Sequence, residues 1–166
     1  MSYEMAFKVF LSHSTDPSEQ AIVWRLQTLA VAHGISLFVA PEFAPPLRRG
    51  PLMLSEQVAE AIDSADCVLA IITSATGPAV EKELGYALAK KKLIIPIVEQ
   101  GVQDEAFVKR LNPVFYFSRL DDPGKVETQV IEFLKHQKVA KENLQAVGAL
   151  VAIGLGLLLL SELSRG

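Results

Sequence analysis

Five short, unbroken apolar runs, separated by stretches with helical spacing, leave few folds open to this chain. The runs are Lys8-Val9-Phe10-Leu11, Ile35–Val39, Cys67–Ile72, Leu93-Ile94-Ile95-Pro96-Ile97-Val98 and Val114-Phe115-Tyr116-Phe117. They are rich in β-branched and aromatic residues and do not alternate with polar ones, as expected for strands covered on both faces. Between and after them lie helical patterns. Ser18 to Ala32 carries Ile22, Leu26 and Leu29; Ser55 to Ser64 carries Val58, Ala59 and Ile62; Pro78 to Lys90 carries Val80, Leu84, Ala87 and Leu88. Asp104 to Leu111 is a shorter candidate, and Pro123 to Gln137 carries Val126, Val130, Ile131 and Leu134. His33-Gly34 stops the first helix, and Pro78 suits the first helical position of the third. Strands alternating with helices predict an α/β domain with a parallel sheet and right-handed crossovers.

Length and composition narrow the chemistry. The 166 residues suffice for one domain and an appendage. The net charge of −3, without a long basic run, argues against a nucleic-acid partner. The single cysteine, Cys67, lies inside the third apolar run and reads as a core thiol. No Cys or His cluster suggests a metal, no glycine-rich phosphate loop is present, and Met1 to Phe7 does not read as a signal peptide.

The far end has a different character. From Ala146 to Leu160 no side chain is polar. A helix of that length spans about 22 Å, and extension from Leu144 to Leu163 reaches the ~30 Å of a bilayer core. Lys135, His136, Lys138 and Lys141 precede it and favour a cytoplasmic start. Gly148, Ala152 and Gly156 form a ridge of small residues suited to close helix contacts. The chain thus divides into a domain over residues 1–138 and a C-terminal hydrophobic helix over 139–166, a membrane anchor or an oligomerisation segment.

Polar residues follow three of the strands: Ser12-His13-Ser14 with Asp16, then Glu42, then Thr73-Ser74. With a strand order of 2-1-3-4-5, the first and third strands are neighbours where the chain reverses direction, and a ligand would sit between the Ser12 and Ser74 loops. The helix starting beside that crevice carries Glu81 and Glu83 on opposite flanks of the stripe Val80-Leu84-Ala87. Helical geometry does not choose between them, and both also suit a helix N-terminus without any catalytic role. His13, flanked by serines, reads as a turn hydrogen-bonder ahead of a base. The Pro-rich loop Pro41 to Pro51 carries Phe43, Leu47, Arg48 and Arg49, an apolar and cationic tip suited to a pyrophosphate or a partner surface.

Together these segments resemble a bacterial TIR domain. The matching pieces are Val9-Phe10-Leu11-Ser12-His13, the Pro-rich loop, Ala61 to Leu69, and Glu83-Leu84-Gly85-Tyr86-Ala87 followed by Lys91-Lys92-Leu93-Ile94-Ile95-Pro96-Ile97, over roughly Ala6 to Leu120. The resemblance implies a flavodoxin-like, three-layer fold with a five-stranded parallel sheet. It implies cleavage of the nicotinamide–ribose bond of NAD, as substrate and not cofactor, by hydrolysis or cyclisation, in anti-phage defence. The family's catalytic glutamate falls on Glu83. Ser12, His13, Phe43, Arg48 and Ser74 become the candidate substrate-binding residues, and the loop Glu42 to Gly50 the contact between protomers. A cytoplasmic domain, clustered or tethered to the inner membrane by the C-terminal helix, completes the expectation. The alternatives are a non-enzymatic TIR scaffold acting by self-assembly and an enzyme like the nucleoside deoxyribosyltransferases.

Overall fold

The computed structural model describes residues 6–39, 56–102, 108–122 and 124–147. Its elements, in chain order, are β1 (Phe7–Ser12), α1 (Pro17–Ala32), β2 (Ile35–Val39), α2 (Glu56–Ser64), β3 (Cys67–Ile72), α3 (Pro78–Ala89), β4 (Leu93–Glu99), β5 (Phe115–Phe117) and α4 (Lys125–Val147). A 3₁₀ turn, Val108–Arg110, precedes β5. The strands form one parallel sheet of order β2-β1-β3-β4-β5, so the chain reverses direction between β1 and β3. All five expected strands are present and the expected strand order holds.

Parity within the strands decides which layer each side chain enters. Val9 and Leu11 of β1, with Cys67, Leu69 and Ile71 of β3, pack beneath α1 and α4 against Leu26, Val130 and Leu134. Phe10 of β1, with Val68, Ala70 and Ile72 of β3, packs beneath α2 and α3 against Ile62, Val80 and Leu84. Two helices on each face make three layers, and β3 at the centre is buried along its whole length. An apolar residue at every position of β3 is therefore required on both sides. Cys67 is fully buried, and burial, reinforced by Asp66, pushes its thiol up to about 12, which makes it an inert core residue.

One helix runs past its expected end, and another, expected over Asp104 to Leu111, lies in part outside the described residues. Of the stretch from Asp104 to Leu111, the described residues hold only the 3₁₀ turn. The last helix does not stop at Gln137 but continues to Val147, through the expected boundary at 138/139. Its polar second half stays on the domain through Lys141, whose Nζ donates to the Ala6 carbonyl and pairs with Asp66, each at 2.9 Å. A long cationic stem can extend a packed helix beyond its apolar stripe. Among the described residues no helix is long and apolar enough to cross a membrane. The hydrophobic helix expected over 144–163 lies outside the described residues, apart from 144–147.

Candidate active site

Pro78 starts α3 at the first helical position, behind the extended Gly77. From that start, Val80, Leu84 and Ala87 turn toward the sheet and are buried. Glu83, one position before Leu84, is drawn in with them and is 8% exposed, whereas Glu81 faces solvent. The packed helix therefore separates two glutamates that spacing alone left equivalent.

Ser12 ends β1 and shares its parity with Phe10, so its side chain enters the α3 layer. There its hydroxyl donates to Glu83 Oε1 at 2.5 Å, and Ser12 is 1% exposed. Burial pushes the Glu83 carboxyl up to about 7, while the Ser12 hydrogen bond, which favours the ionised form, holds it lower than burial alone would. At neutral pH the carboxyl is thus poised between its two states, beside the carboxyl edge of the sheet where the strand order reverses. Such crevices are the ligand sites of open α/β sheets, and a carboxyl whose ionisation is shifted by burial there marks a candidate site.

The other expected site residues divide. Ser74 leaves the sheet at the same edge, two residues beyond the end of β3, and is exposed. His13 is half-buried, and its Nδ1–H donates to the Ser14 carbonyl at 2.6 Å, the turn-bonding role. Phe43 and Arg48, with the whole loop from Glu42 to Gly50, lie outside the described residues. A cleft of about 350 Å³ opens at the carboxyl edge on the other face, between Ser18, Gln100, Arg119 and Lys125, and Glu83 does not line it. The geometry at Glu83 and Ser12, not the size of that cleft, makes this the candidate site.

Two further residues belong to this edge: Thr73, which the sequence places with Ser74 after the third strand, and Glu19, which spacing did not single out. Thr73 has the parity of Cys67, Leu69 and Ile71, so its side chain enters the α1 layer, away from Ser74. Its hydroxyl donates to Glu19 Oε2 at 2.5 Å, and both residues are buried. Counting parity past the end of β3 would have separated Thr73 from Ser74. The spacing Asp16-Pro17-Ser18-Glu19, a helix cap followed by a glutamate, would have drawn attention to Glu19.

Solved structures share this architecture at low identity. A CMP N-glycosidase of Clostridium botulinum, BcmB, is 18% identical, with a TM-score of 0.50 over 76% of this chain and 97% of its own. A diflavin flavoprotein A3 from a Nostoc species is 10% identical, with a TM-score of 0.58 over 82% of this chain and 96% of its own. Both show the flavodoxin-like fold. No curated protein matches the chain. The model of the TIR-domain family, however, matches residues 9–130, which span β1, the reversal point, Glu83 and the first turns of α4. The chain belongs to the TIR-domain family.

Proposed function

We propose that this protein cleaves an N-glycosidic bond of a nucleotide, with NAD as the substrate, and that Glu83 is the catalytic carboxyl. The observation that carries the reading is the buried Glu83–Ser12 pair at the strand-order reversal. The family supports the choice of reaction, and the shared fold with a CMP N-glycosidase is compatible with a glycosidic site on this scaffold.

The bond chemistry fits a carboxylate that stands alone. In NAD the leaving nitrogen is already cationic. When the C1′–N bond breaks, its electron pair stays on nitrogen, and neutral nicotinamide departs without a proton. The positive charge passes to the ribosyl carbon and ring oxygen. Ionised Glu83, with one oxygen already held by Ser12, can accept a ribose hydroxyl and stabilise that charge. Water, which releases one proton to solvent as it bonds, or a nucleophile within the ADP-ribosyl group then takes the anomeric carbon, giving hydrolysis or cyclisation. A poorly hydrated carboxylate interacts more strongly with the developing cation than a solvated one would. The ionised form is the active one, so turnover should rise with pH through about 7.

Self-association through the loop Glu42 to Gly50 and the tail 139–166 belongs to the same reading, with protomers brought together so that one completes the site of the next. Defence signalling from the cytoplasmic face of the inner membrane is its biological setting. Incubating the full chain with NAD, and separately with CMP, and identifying the products by mass spectrometry tests the reaction. Release of nicotinamide that disappears in Glu83→Gln supports it. Cytosine from CMP, with NAD intact, moves the substrate to a pyrimidine nucleotide. No product from either, in a chain shown to assemble, leaves the scaffold role.

A further inference from the structure

Glu19 is 1% exposed, and the chemistry above does not use it. It stands three residues after Asp16, the N-cap of α1, from where a glutamate ordinarily reaches back to the N–H of the cap residue. Here that N–H donates instead to Ser14 Oγ at 3.2 Å. The two oxygens of Glu19 go elsewhere. Oε1 accepts the Ser14 N–H at 2.8 Å, and Oε2 accepts the Thr73 hydroxyl at 2.5 Å. The Thr73 Oγ1 accepts in turn from the Ala75 N–H at 3.1 Å, and the Thr73 N–H donates to Thr76 Oγ1 at 2.9 Å. Among the described residues no cation lies within ion-pair distance of Glu19.

A buried carboxylate whose hydrogen bonds all come from neutral donors, with Arg119 attracting it only from beyond ion-pair distance across the cleft, is an expensive way to cap a helix, since an exposed cap does that work at no desolvation cost. What burial achieves is a bridge. One side chain joins the turn after β1 to the turn after β3. The first turn begins at Ser12, two residues before Ser14. The second leads through Gly77 into α3 and Glu83. The two ends of the Ser12–Glu83 hydrogen bond thus belong to the two segments that Glu19 joins from the opposite face of the sheet.

We propose that Glu19 is a positioning residue, which through Ser14 and Thr73 locks the two turns flanking the site and so keeps the Ser12 hydroxyl on the Glu83 carboxyl. Its catalytic consequence rests on the N-glycosidic reading, but its geometric content does not. With the bridge cut, the turn after β1 can shift, and Glu83 loses the hydrogen bond that favours its charged form. Among the described residues, no charged group is hydrogen-bonded to or ion-paired with Glu83, so its ionisation reports on Ser12.

The test is a carboxyl ¹³C NMR titration of Glu83 in the full chain, compared among wild type, Glu19→Gln, Thr73→Val and Thr73→Ser, with NAD turnover measured alongside. Thr73→Val removes one hydroxyl at nearly constant shape, and it stands alone if Glu19→Gln does not fold. Loss of the bridge should raise the Glu83 midpoint by roughly one unit, the worth of one hydrogen bond to a charged group. Thr73→Ser, which keeps the hydroxyl, should restore the wild-type midpoint. Turnover should fall roughly tenfold or more in the bridge-cut variants, as expected when a reacting group is displaced. An unchanged midpoint in folded Thr73→Val overturns the proposal. An inactive wild type with a shifted midpoint in Thr73→Val keeps the bridge and removes the N-glycosidic reading.

Discussion

Glu83 and Glu127 are both buried carboxyls, one in each helical layer, and they are held in opposite ways. Glu127, in α4, is 1% exposed, and its Oε1 takes both Arg25 Nε at 2.9 Å and Arg25 Nη2 at 2.8 Å. Glu83, in α3, has one neutral hydroxyl and no cation among the described residues. A buried charge facing a full countercharge is committed to structure. A buried carboxyl with a single neutral donor keeps an ionisation that can respond to a ligand, and it remains free to meet a positive charge that forms only during a reaction. Burial alone does not mark a candidate: Glu19 also lacks an ion pair, but two neutral donors tie down both of its oxygens, whereas Glu83 sits at the reversal point with one oxygen held and the other without a hydrogen-bond partner among the described residues.

Exchange of the charge at each position should break the contrast most visibly. Glu83→Gln should lower NAD turnover by roughly 10² to 10³-fold, the scale of losing one preorganised electrostatic contact in a water-poor site, while Glu81→Gln, on the exposed flank, should change it little. Near-normal turnover in Glu83→Gln would end the catalytic assignment. On the α4 side the expected damage is to folding. Arg25→Met leaves Glu127 buried without its cation and should cost about 2 kcal/mol, less than the 3–5 kcal/mol of a fully enclosed pair because Arg25 is 38% exposed. Urea unfolding at neutral pH would measure it, and an unchanged midpoint would show that the pair contributes nothing.

The pH dependence of stability sharpens the same contrast. The folded carboxyl of Glu83 titrates at about 7, above its ordinary 4.5, so between these values the native chain holds a proton that the unfolded chain has released. The resulting stabilisation is full below about pH 4.5 and is lost as pH rises through 7. Glu83→Gln, which stays neutral, should therefore gain stability relative to wild type at pH 8 and much less at pH 5. Equal differences at the two pH values would show that Glu83 ionises normally. The smallest effect on stability belongs to Ser12→Ala. Removing the hydroxyl leaves burial unopposed, so the pH midpoint of turnover should move upward while the unfolding midpoint changes only slightly. A downward move would mean that Ser12 favours the protonated carboxyl.

Much of the fold was legible in one dimension. Continuous apolar runs identify strands covered on both faces, and the alternation with helical stripes fixes a parallel sheet, because parallel neighbours need a helical crossover. β3 is the clearest case, since every residue from Cys67 to Ile72 is buried. The end of α4 was not legible from its apolar stripe, which stops near Gln137, because the later contacts come from the stem and charge of Lys141 reaching Asp66 and Ala6.

The sequence by itself determined the layers, the strand order implied by the family likeness, and a helix with two glutamates near the reversal point. Only the tertiary structure decided between those glutamates, because the choice depends on which flank of α3 faces β1, and that rotation is set by packing of Val80, Leu84 and Ala87 against both Phe10 and β3. It likewise decided that Ser12 meets Glu83 while Thr73 crosses to Glu19, since one residue of strand parity sends a side chain to one face of the sheet or the other. Hydrogen bonds between residues 71 and 54 positions apart are properties of the folded edge alone. Local spacing can nominate their members, but only the packed sheet brings them within bonding distance.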